Sequence, residues 1–80
     1  IQVINNKILC INSKSSYLKK GESILLFKTD NKKVRLEILG IEINKNSIDR
    51  VEEENINIGI EVNKNINENG QYYYVKKNSN

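Results

Sequence analysis

Hydrophobic and polar positions alternate with a period of two over much of this chain, and period-two alternation marks a strand with one buried face. Val34, Leu36 and Ile38 alternate with Arg35 and Glu37. The apolar phase then moves from even to odd positions, to Ile41 and Ile43, and Gly40 stands at the change. A glycine inside a strand pattern marks a bulge or sharp bend, so residues 33–44 read as one long strand bent at Gly40. Ile56, Ile58, Ile60 and Val62 give a second half-buried strand, with Asn57, Gly59 and Glu61 on its other side. The short apolar runs at residues 24–27 and 8–11, the latter containing Cys10, read as strands buried on both faces. Residues 72–75 form a last strand after the turn NENG, and residues 1–4 an edge strand joined to the next by Asn5-Asn6.

Residues 45–54 are where a helix competes. Ser47 would cap it, but only Ile48 and Val51 would share an apolar face, too little to hold a helix. A hairpin-like loop with Val51 tucked inward fits better. Short strands separated by turns, without a convincing helix, predict an all-β domain. A strongly bent long strand in so short a chain favours a small closed or nearly closed β-barrel of about six strands, because closure removes exposed edges. Eighty residues are expected to form a single domain with a thin core. A chain that opens on Ile1 and holds no methionine is expected to be a fragment of a larger protein.

Composition narrows the chemistry. There is no histidine, and Cys10 is the sole cysteine. An internal disulfide is excluded, a zinc site is not expected, and neither a serine triad nor a cysteine–histidine pair can be built in the usual way. Cys10 is expected to be a small buried hydrophobe. The four glycines are 11 or more residues apart, so no phosphate-binding loop of the P-loop kind is present. Glu52-Glu53-Glu54 lacks the spacing of a calcium loop and reads as a solvated acidic loop. No catalytic residue, metal site, cofactor or small-molecule ligand is expected. No apolar run nears the roughly 20 residues of a membrane span, so a cytoplasmic, reducing setting without membrane contact is expected.

Charge is unevenly spread. Residues 1–40 carry eight Lys/Arg against three Asp/Glu, and residues 41–80 five against seven. The excess of cations in the first half points to an anionic partner. Lys28, Lys32, Lys33 and Arg35 surround a plausible hairpin loop, TDNKK, and with Lys19 and Lys20 they form the candidate nucleic-acid contact. Such contacts are sequence-independent and salt-sensitive. Tyr72, Tyr73 and Tyr74 offer base stacking as an alternative to burial, although one or two of them belong to the core of a strand. Gly21 lacks the neighbouring glycines and following helix of a phosphate cradle. LKKGES is therefore read as a turn leading into the strand at residues 24–27.

The stretch YLKKGESILLF, followed by KKVRLEILGIEINKNSIDRVEEENINIGIEV, resembles the second, β-barrel domain of translational GTPases of the elongation factor Tu type. Leu18, Lys19, Gly21, Glu22 and Ile24 match that family's turn into a strand. Ile58, Gly59, Ile60 and Val62 match its final apolar-glycine-apolar strand, and INENGQYY is similar to its closing segment. The likeness spans roughly residues 7–76. INNKILCINS replaces the glycine-rich opening strand of the factors, and Asn55 stands where they often have glycine. KSSYLKKGE, with Tyr17 as the aromatic, is also similar to the C-terminal barrel of U32-type (collagenase-like) peptidases. The first resemblance implies a non-catalytic accessory barrel contacting RNA (tRNA) and a neighbouring domain of the parent protein. The second implies an accessory barrel of an enzyme, positioning substrate or a partner protein.

Overall fold

The computed structural model describes residues 1–13, 18–28, 32–67 and 72–77. These residues form seven strands and no helix: β1 (Gln2–Ile4), β2 (Ile8–Ser13), β3 (Ser23–Lys28), β4 (Lys33–Ile43), β5 (Asn46–Ile48), β6 (Ile56–Val62) and β7 (Tyr72–Lys77). All pairings are antiparallel, in the order β1-β2-β6-β4-β3-β7, with β5 beside the far half of β4. The sheet curls into a half-barrel. Tyr17, the loop residues 29–31 and the NENG turn after Asn67 lie outside the described residues, as do the side chains of Tyr73 and Tyr74.

The bend expected at Gly40 is present as a bulge. Ile38 pairs with Val62 and Gly40 with Glu61, so Leu39 is an extra residue in β4. An extra residue moves the side-chain alternation by one. Leu36 and Ile38 before the bulge and Ile41 after it therefore all face the core, while Leu39 is left 45% exposed. The near half of β4 pairs with β3, and the far half pairs with β6 and β5.

The segment from Leu18 to Glu22 fills the gap between β3 and β5. The Glu22 N–H donates to Lys19 C=O, closing a turn whose third residue, Gly21, has φ +93°. A positive φ at that place is what a type II turn requires. The Gly21 N–H donates to Ile38 C=O, and the Ile38 N–H to Glu22 C=O. Lys20 N–H donates to Asp49 C=O, and Val51 N–H to Leu18 C=O.

One core receives side chains from both ends of the strand order. Leu9 of β2, Ile24 and Leu26 of β3, Ile58, Ile60 and Val62 of β6 and Tyr72 of β7 join the residues of β4. Leu18, Val51 and Ile66 enter it from the connections. The Tyr72 hydroxyl donates to Asn67 C=O, which satisfies the polar end of a buried ring.

Three expectations are corrected. First, β2 and β3 are buried on one face, not two, because no second layer among the described residues covers the sheet: Leu25 and Phe27 are half-buried on the outside. Second, Cys10 is half-buried on that outer face, in register between Gln2 and Gly59, and is not a core residue. Third, residues 45–54 contain a strand. Asn44 and Lys45 have φ of 52° and 67° and turn the chain straight back along β4 as β5. Val51 is buried, as expected of the loop that tucks it inward.

Two-residue hairpin turns with positive φ at both positions favour Asn-Gly. Lys45 holds a left-handed conformation that costs a non-glycine residue roughly 1–2 kcal/mol, partly offset by the roughly 0.5–1 kcal/mol of extra chain entropy glycine loses on folding. Lys45→Gly is expected to stabilise the domain by about 0.5–1 kcal/mol, seen as a higher urea midpoint at unchanged slope. Ile60→Ala, at a fully buried position, is expected to cost about 2–5 kcal/mol. That is a large share of the roughly 4–12 kcal/mol available to a domain of this size, and the same urea titration measures it.

Candidate nucleic-acid interface

The β3–β4 hairpin builds the basic surface. The Lys28 N–H donates to Lys32 C=O at 2.8 Å, closing the hairpin end. In the register that follows, Lys33 stands opposite Phe27, Arg35 opposite Leu25 and Glu37 opposite Ser23. Val34 and Leu36 turn inward, so Lys33 and Arg35 are exposed on the outer face. They lie beside the half-buried Leu25 and Phe27. The Arg35 guanidinium donates to Ser23 Oγ at 3.4 Å, a diagonal contact that lays it along the sheet. On the other side of β3, Tyr74 and Lys76 are in backbone register with Phe27 and Leu25.

Four of the six candidate residues are thus brought together: Lys28, Lys32, Lys33 and Arg35. Lys19 and Lys20 are not with them. Both are exposed, but they sit on the Gly21 turn at the opposite end of β3, about 20 Å away by the length of that strand. Lys19 forms an antiparallel bridge with Arg50, whose side chain pairs with Glu52 at 2.9 Å. That ion pair is mostly exposed and contributes little to stability.

The chain matches no family model, no curated protein and no solved structure. What the site can do must be argued from its own residues. Lys and Arg gathered at one end of a hairpin offer charge-assisted hydrogen bonds to phosphate oxygens, and Arg35 can make them in pairs. An aromatic residue among them is the composition used by surfaces that hold single-stranded nucleic acid. The described residues contain no group of three His, Cys, Asp or Glu side chains that could hold a metal ion. No helix among them is long and apolar enough to cross a membrane.

A second surface escaped the sequence reading. An open groove of about 440 Å³ lies on the outer face around the β4 bulge, with Leu39, Gly40 and Gly59 among its lining residues. Glu42, Asp49 and Glu61 also line it, with Lys20 at its edge. The sequence signal was there in Gly40 and Gly59, two glycines at strand positions, but it was assigned wholly to the bend and to the alternation.

Proposed function

We propose that this domain is a non-catalytic accessory module of a translation-factor-like protein, contributing RNA (tRNA) contacts and contacts to a neighbouring domain. The observation that carries this reading is the gathering of Lys28, Lys32, Lys33 and Arg35 at one end of a hairpin, with Lys33 and Arg35 beside Phe27 and Leu25 on its outer face. A flexible lysine-rich tail would bind phosphate without orientation; a hairpin fixed in a sheet presents its cations at strand spacing. In this reading the curled sheet closes or nearly closes into a barrel, with the core shared by β2 and β7 as support. Lys19 and Lys20 are left out of the RNA surface, since their turn serves the bend of β4.

Binding through about four phosphate contacts should weaken about 50- to 150-fold between 50 and 200 mM salt. Titration of the chain with tRNA by fluorescence anisotropy at those salt concentrations measures it. Replacing Lys32, Lys33 and Arg35 together with Ala should lower the slope of log affinity against log salt by about 2–3, while Lys19→Ala with Lys20→Ala leaves it unchanged. Absence of binding at about 50 mM salt, or a triple variant that binds like the native chain while folded, contradicts the proposal.

A further inference from the structure

The groove around the β4 bulge needs a separate account, because the bulge explains Gly40 but no bulge or bend of β6 explains Gly59. Glycine in a strand interior is destabilising relative to alanine. It often marks a bulge, as at Gly40, a tight bend, or the close approach of a ligand or another backbone. Neither Gly40 nor Gly59 has a positive φ. A Cβ on Gly59 would meet only Ile8 Cγ2, at 3.5 Å, and one on Gly40 would stand 3.7 Å from Glu61 Oε1. Both are ordinary van der Waals distances, so side chains would fit. The two glycines lie on adjacent strands, where Gly59 pairs with Glu42 and Gly40 with Glu61. Together they leave a floor of bare backbone.

The surroundings of that floor define what would lie on it. Leu39, pushed outward by the bulge, is 45% exposed at the groove and supplies an apolar contact with the half-buried Ile8. Glu42, Glu61 and Asp49 supply three carboxylates against the single ammonium of Lys20. This acid excess occurs on a chain whose net charge is +3. The volume falls within the 300–1,000 Å³ typical of binding clefts.

We infer that this groove binds an extended peptide segment of a partner protein in which lysine or arginine alternates with aliphatic residues. The glycine floor admits the peptide backbone, Leu39 and Ile8 receive an aliphatic side chain, and Glu42, Asp49 and Glu61 pair with the flanking cations. The whole-chain charge repels such a peptide, so any affinity has to come from the local carboxylates. The site lies at the opposite end of β3 from the basic hairpin, and the inference stands whether or not the hairpin binds RNA.

The probe is a fluorescein-labelled five-residue peptide alternating lysine and leucine, beside one with glutamate for lysine and one with serine for leucine. Anisotropy titration at about 50 mM salt, where surface charges are weakly screened, should show saturable binding of the lysine–leucine peptide alone. Gly59→Val, which suits a strand and fills the floor, should weaken it about tenfold or more. Glu42→Gln with Glu61→Gln, both exposed and outside the core, should weaken it and flatten its salt dependence, which keeps the test open if the valine variant does not fold. Amide shifts in NMR spectra should centre on Gly40 and Gly59. The inference is overturned if the glutamate peptide binds equally, if the lysine–leucine peptide does not bind, or if folded Gly59→Val binds it like the native chain. Amide shifts confined to the β3–β4 hairpin would also overturn it.

Discussion

The extra residue in β4 is the constraint on which the rest of the structure depends. An eleven-residue strand that kept strict alternation would present its second half with the wrong face inward. Ile41 would then face solvent, and the β4–β6 half of the core would open. Inserting Leu39 restores the phase, and the backbone bends as it does so. The bend lets one strand serve two neighbourhoods, β3 on its near half and β6 with β5 on its far half. It also opens a gap between β3 and β5. The Lys19–Gly21 turn closes that gap with backbone hydrogen bonds to Ile38 and Asp49. Without them, backbone groups at the bend would be left to solvent or unsatisfied, at a cost of about 1–3 kcal/mol for each one buried without a partner.

The same bend distributes charge. The near end of β4 carries Lys32, Lys33 and Arg35 on its hairpin, and the far end carries Glu42 facing Gly59. Among the described residues no layer covers the sheet, and its outer face carries Lys33 and Arg35 at one end and Glu42 and Glu61 at the other. At the charged ends, about two Debye lengths apart at physiological salt, each surface acts nearly independently.

Most of the frame was legible in the sequence because it rests on local alternation. Val34, Leu36 and Ile38, then Ile41 and Ile43, announced both β4 and its bend, and Ile58, Ile60 and Val62 announced the inward face of β6. Gly21 was legible as a turn for want of any companion glycine. β5 was not, since three residues with the single apolar Ile48 carry no measurable period. The one-sided burial of Cys10, Leu25 and Phe27 depends on whether another layer covers the sheet, which no local pattern states. Asn5, Asn6, Asn44 and Asn55 all hold left-handed backbone angles, between 52° and 59°, which asparagine tolerates better than most residues. Proximity along the chain grouped Lys19 and Lys20 with Lys28, but the length of β3 separates them. The groove was not legible because five separate segments, β2, the Lys19–Gly21 turn, β4, β5 and β6, assemble it.

Native-state hydrogen exchange tests the role of the bend most directly. If the Lys19–Gly21 turn is a structural joint of the half-barrel, the amides of Lys20, Gly21, Ile38 and Val51 open only with the whole domain. Their exchange free energies should then equal the global unfolding free energy, matching core amides such as that of Ile60. Exchange of Lys20 and Gly21 at the rate of a surface turn, with Ile38 still protected, would show that the turn hangs on the sheet without holding it and would contradict this account.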